Sequence, residues 1–234
     1  MEYGRQWNVP VAEAPANVRT DFIRKTYAHL GAAILAFVAI EYYFFTSGIA
    51  DSIFSSMVGG RGSMLFVFLL FMGAAYAAQW FAQPTQSKGM QYFGLGLYVL
   101  AEAVVFVPIL YFATRYSDSS VIPTAGLYTA IVFGGLTGVV FVSGKDFSFL
   151  RGALSVASLV IIGLIVCSLI FGFTLGTLFS AAMIAFAAGY IVYDTSNVLH
   201  RYPTGSHVGA ALQLFASVAL LFFYILRVLM ASRR

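Results

Sequence analysis

Seven stretches of about 20 apolar residues, nearly free of charge, leave this chain few folds to choose from. They run over 26–48, 63–82, 91–114, 121–143, 149–171, 174–195 and 207–230. A helix rises about 1.5 Å per residue, so each stretch is long enough to cross a hydrocarbon core of roughly 30 Å. The stretches are apolar around their whole circumference, as helices in lipid must be. A membrane barrel would need short alternating segments instead. The sequence therefore predicts an all-α, polytopic membrane protein: a seven-helix domain over 26–234 behind a polar, flexible cytoplasmic segment over 1–25.

Composition agrees. The 234 residues are 60% hydrophobic and only 9% charged, where a soluble domain carries about 25% charged residues. So few charges could not cover a water-facing surface, which excludes a soluble enzyme, a disordered linker and a disulfide scaffold. The net charge of +4 does not point to nucleic acid, because the basic residues sit at segment ends, where they set topology and meet lipid headgroups. The lone Cys167, deep in an apolar run, reads as a small packing residue. The polar start carries Pro10 and Pro15, and the first apolar run is too long for a signal peptide.

Turn-forming residues separate the spans: Gly59 to Gly62, Gln83 to Gly89, Ser117 to Ser120, Ser143 to Asp146, Gly172 to Thr174 and Arg201 to Ser206. With seven crossings, Arg5, Arg19, Arg24, Lys25, Lys88, Lys145, Arg151 and Arg201 share the N-terminal side, while Arg61, Arg115, Arg227, Arg233 and Arg234 share the other. Basic residues favour the cytoplasm, so the N-terminus is expected inside and the C-terminus outside. Small-residue pairs, Gly134 with Gly138 and Ala181, Ala185 and Gly189, are expected to let helices pack closely within the bundle.

Acids inside lipid cost at least about 2.5–3.5 kcal/mol each and need a reason. Glu102 lies mid-span in the third stretch. It is either a bundle acid serving structure or a proton or cation site facing a cavity. Glu41, followed by Tyr42, Tyr43, Phe44 and Phe45, reads as an interfacial side chain beside an aromatic belt. Asp194 lies near the end of the sixth stretch, with Asn197 one turn on along the same face. On position alone, a loop-solvated helix end is slightly favoured for Asp194. Arg227 reads as a snorkelling residue. His200 and His207 with Asp194 match no metal-ligand spacing. Phosphate-binding loops, dinucleotide fingerprints, zinc-protease helices and nucleophile elbows are all absent, and no catalysis is expected.

Several segments then become familiar in order and spacing. They are Phe22-Ile23-Arg24-Lys25-Thr26-Tyr27, Phe106-Val107-Pro108-Ile109-Leu110, Gly144-Lys145-Asp146-Phe147-Ser148, Tyr193-Asp194-Thr195-Ser196-Asn197-Val198-Leu199-His200, and Ala211-Leu212-Gln213-Leu214-Phe215 running on to Arg227. Together they resemble the Bax inhibitor-1 (transmembrane Bax inhibitor motif) family, in particular its bacterial YccA-like branch, over about residues 20–230. The resemblance implies a seven-helix bundle with the last helix central, a bacterial inner membrane, and a calcium or proton-linked cation leak. No cofactor is implied, and calcium enters only as the transported ion.

Some family members pair two aspartates, on spans six and seven, as a pH-sensitive latch. Asp194 matches the first, but Ser217 stands at the second position. Two adjacent carboxylates share a proton, whereas a carboxylate beside a hydroxyl need not. Neutral-range pH gating is therefore expected to be weakened or lost. The candidate ion path is Asp194, Ser217, Glu102 and Asn197, with Asp194 as a weak calcium contact. The YccA-like resemblance also implies the alternative of an interaction protein modulating a membrane-anchored AAA protease, with the N-terminal segment as a handle.

Overall fold

The computed structural model describes residues 9–58 and 60–232. The first eight residues of the polar segment, the turn residue Gly59, and Arg233 and Arg234 of the basic tail lie outside the described residues. Among the described residues a 3-10 turn at Val11–Glu13 precedes eight helices: α1 (Ala16–Thr46), α2 (Ile49–Val58), α3 (Arg61–Phe81), α4 (Lys88–Tyr116), α5 (Val121–Ser143), α6 (Leu150–Phe171), α7 (Thr177–His200) and α8 (His207–Ser232). Seven of them, all but α2, are long and apolar enough to cross a membrane. They correspond one to one with the seven stretches. The protein is thus an all-helical polytopic membrane protein.

Three departures from expectation have physical causes. The helix of span one begins at Ala16, ten residues early, directly after Pro15. Proline cannot continue a helix backwards but suits its first boundary. The residues before it are not a loose tail either. Val11 is fully buried and donates its N–H to Tyr202 O at 3.0 Å, and Thr204 N–H reaches Val9 O at 3.2 Å. The ten-residue α2 was not anticipated; it buries Ala50 and Met57 against α1, α3 and α4. Finally, α7 runs on to His200, which places Asp194 inside the helix rather than at its end.

Local chemistry sets the helix ends. Ser87 caps α4 by accepting the Met90 N–H at 3.3 Å. Gly144 and Gly172 close α5 and α6 with φ of 59° and 75°, left-handed values that glycine adopts without strain. The small-residue stripes did not predict where helices meet. Gly134 and Gly138 have open space where a Cβ would stand. Ala181 and Ala185 are exposed, and within that stripe only Gly189 meets a neighbour, Leu154. The close approaches fall elsewhere: a Cβ at Gly94 would lie 2.6 Å from Ala78 O, and one at Gly209 2.8 Å from Ala82 O.

Helix α8 is the centre of the bundle, packed against α1, α4, α5 and α7. Its core is aliphatic and aromatic. Phe106 of α4 sits 5.0 Å from the Phe37 ring of α1 and stacks on Phe222 of α8 at 5.8 Å. Helix α6 lies at the rim, chiefly against α3 and α7. Cys167 faces outward from it and is not a packing residue; a rim helix has only one side to bury.

Candidate functional site

Two sequence motifs meet at the end of the bundle where α7 stops. The turn before α6 supplies Asp146, whose carboxylate accepts from Arg201 at 3.0 Å; Arg201 also donates to Ser148 Oγ at 2.6 Å. Ser196 Oγ accepts the Phe147 N–H at 2.8 Å. The His200 ring lies between Ser196 O and Gly144 O, at 2.9 and 3.2 Å. These bonds clamp the α5–α6 turn onto the last two turns of α7. The Arg201 guanidinium and the Ser148 amide hold the exposed Asp146 carboxyl down at about 2.

Above this clamp, Asp194 is 4% exposed and so is not solvated by the loop. Its Oδ2 accepts a hydrogen bond from Ser217 Oγ of α8 at 2.5 Å, across 23 residues of sequence. The two residues meet because α7 and α8 form the most intimate helix pair in the molecule. Asn197, one turn further along α7, is buried, and among the described residues its Oδ1 has no partner. Tyr202, just beyond α7, lies within electrostatic reach of Asp194, and its burial pushes the phenol well above its ordinary range.

Glu102 is buried on α4 at 7% exposure. The Tyr98 hydroxyl, one turn earlier, lies within electrostatic reach of it. Tyr98 is also within electrostatic reach of Asp194 and packs edge-on against Phe215 of α8, 6.1 Å away. Tyr98 is the neighbour that the two acids share. A recess of about 190 Å³ opens at the same end, with Gln79, Gln83, Tyr202, Ser206 and Gln213 among its lining residues. Tyr202 thus lines the recess and is also within electrostatic reach of Asp194.

Glu41 corrects the sequence reading. It is 6% exposed, and among the described residues neither carboxylate oxygen has a hydrogen-bond partner. Tyr42 and Tyr43 do face outward, as a belt would, but Glu41 falls one helical step away, on the inward face with Leu30, Ala33 and Phe44. Arg227 donates to the Leu175 carbonyl in the α6–α7 connection, so it is tied to that hairpin rather than left free to snorkel. Among the described residues, no three His, Cys, Asp or Glu side chains gather as a metal ion would require.

Comparison with known proteins gives a consistent picture. The family described as inhibitor of apoptosis-promoting Bax1 matches residues 19–234. Protein LIFEGUARD 3 of Arabidopsis thaliana is 27% identical over 96% of this chain and 90% of its own length. Bax inhibitor 1 of Schizosaccharomyces pombe is 30% identical over 94% of this chain and 80% of its own. An uncharacterized protein of Pseudomonas aeruginosa is 34% identical, but over 48% of this chain and 50% of its own. No solved structure matches.

Proposed function

The chain belongs to the Bax inhibitor-1 family, and from that premise we propose that it is a passive cation leak in a bacterial inner membrane, with calcium as the ion. What carries the reading is the pairing of two buried acids on different helices, Asp194 and Glu102, around one tyrosine, Tyr98. Burying acids is expensive in any protein and more so in lipid. Their enclosure beside hydroxyls and amides suits a polar passage through an apolar bundle.

The ion would enter the recess between Gln79, Gln83 and Gln213, pass Tyr202, and meet Asp194 with Asn197 and Ser217 beside it. Glu102 lies beyond Tyr98. Calcium binds tightly only with six to eight oxygens. One carboxylate with a few neutral oxygens binds weakly, which favours passage over storage. The N-terminal end of the bundle is the cytoplasmic end in this reading, because the basic residues concentrate there. Reporter fusions at either terminus test that orientation.

Ser217 sets the pH behaviour. Two adjacent carboxylates would share a proton and gate near neutrality. Asp194 has a hydroxyl donor instead, so the leak should vary little between pH 5 and 8. Proteoliposome calcium flux across that range checks this, and Ser217→Asp should introduce a steep dependence. A steep dependence in the unmodified protein, abolished by Asp194→Asn, would refute it.

A further inference from the structure

Basic and aromatic side chains from three separate helices converge at the N-terminal end of the bundle, the end at which α7 stops. On α1, Lys25 and His29 are one turn apart, and His29 Nδ1 donates to Lys25 O at 2.6 Å. A carbonyl only accepts, so that nitrogen carries the proton. The other ring nitrogen, Nε2, lies 3.0 Å from the Tyr92 hydroxyl, within hydrogen-bond distance. Tyr92 stacks on His29 at 5.5 Å and lies one turn beyond Lys88 on α4. His207, the first residue of α8, sits 5.0 Å from the His29 ring. It is within electrostatic reach of Lys88 and Lys25 as well.

The charge here is unbalanced. Asp21 is the acid of the cluster, and it is already held by Arg24 at 2.9 Å and Lys25 at 2.6 Å. Lys88 donates only to a neutral carbonyl, Gly205 O, at 2.6 Å, and among the described residues no carboxylate pairs with it. The first turn of α8 contains no acid to offset its amide dipole. The surroundings face lipid: Tyr92 and Phe93 are exposed, and Leu100 continues the outward row along α4.

We propose that the cluster of Lys25, His29, Lys88, Tyr92 and His207 binds the phosphate of an anionic phospholipid in the leaflet on the N-terminal side. The lysines meet the phosphate charge and the Tyr92–His29 pair forms the wall. The acyl chains lie along Phe93 and Leu100. A free phosphate would have no use for that apolar row. A basic pocket between helices at the membrane interface is the physical form such headgroup sites take. The site adjoins the recess, since Lys88 bonds Gly205 beside Ser206, but none of its residues hydrogen-bonds Asp194, Ser217 or Glu102.

The test uses the full chain, delipidated in a zwitterionic detergent. Binding of phosphatidylglycerol, phosphatidylcholine and inorganic phosphate is followed by native mass spectrometry and by thermal protection. Phosphatidylglycerol should bind preferentially. Each lysine should contribute about fivefold, so Lys25→Gln with Lys88→Gln should weaken that binding about 30-fold and leave phosphatidylcholine unchanged. Lys88→Arg should retain binding, and Arg115→Gln at the opposite end should not alter it. Raising salt from about 0.05 to about 0.5 M should erode the preference in the unmodified protein, which needs no variant to fold. Equal binding of phosphatidylcholine, an unweakened double variant, a salt-insensitive preference, or equally tight binding of inorganic phosphate would each overturn the proposal.

Discussion

Helices α6 and α7 are neighbours in one hairpin and differ in every respect that matters. The apolar window of α6 has a mean hydropathy of 2.8 and is 6% buried; that of α7 has 1.4 and is 28% buried. In water the more apolar helix would lie inside. Here the order is reversed, because lipid is as apolar as leucine and gives no reason to hide it. What must be hidden is polarity, and α7 carries Asp194, Thr195, Ser196 and Asn197 in its last two turns. The polar groups of α7 are buried within an otherwise apolar bundle, and the rim is made of what lipid tolerates.

The largest contrast should come from truncating one aliphatic residue on each helix. Ile191 of α7 is fully buried, and Ile191→Ala should cost about 2–5 kcal/mol of stability. Leu159 of α6 faces lipid, and Leu159→Ala should cost about 0.5 kcal/mol or less. Thermal unfolding in detergent micelles compares them directly; equal losses would mean that α6 is not a rim helix. Ser217→Ala comes next. It removes the donor to a buried carboxylate and should cost about 1–3 kcal/mol in the same assay.

A smaller effect of opposite sign is expected at Glu41. Its carboxyl is buried without a partner, so Glu41→Leu should stabilise the protein by about 1 kcal/mol. Destabilisation there would indicate a bond to Glu41 that the structure lacks. The smallest effect concerns the exposed Asp146–Arg201 clamp. The folded Asp146 carboxyl sits at about 2, below its ordinary value of about 3.9. A lowered value stabilises the fold above pH ~4, and that gain is lost as pH falls through about 2. Stability should therefore not change between pH ~5 and 8 on this account, and Arg201→Gln should cost at most about 1 kcal/mol. Melting temperatures over pH 2–7 check the sign.

The same contrast explains what the sequence made legible. All seven spans could be read, because about 20 uncharged apolar residues admit one structure in lipid. Which face of each span turns inward could not. Every face is apolar, so the small stripe at Gly134 and Gly138 looked like an interface, while the close backbone approaches fall at Gly94 and Gly209. The amphipathic α2 was missed because it is too short to register as a span.

Asp194 and Ser217 could be paired only through family resemblance, since 23 residues separate them and no local pattern links them. Glu41 was misjudged because its neighbours Tyr42 and Tyr43 do face outward, and a rotation of about 100° per residue was needed to see that it does not. Tyr98 was not singled out at all. Its spacing of four from Glu102 was the available signal.

The central claim is that buried Asp194 serves ion passage, and calcium flux in proteoliposomes tests it most directly. Vesicles holding the purified protein should leak calcium faster than empty ones, and Asp194→Asn should remove most of that excess while the protein stays folded. Flux no greater than that of empty vesicles, or an excess that Asp194→Asn leaves intact, would contradict the account.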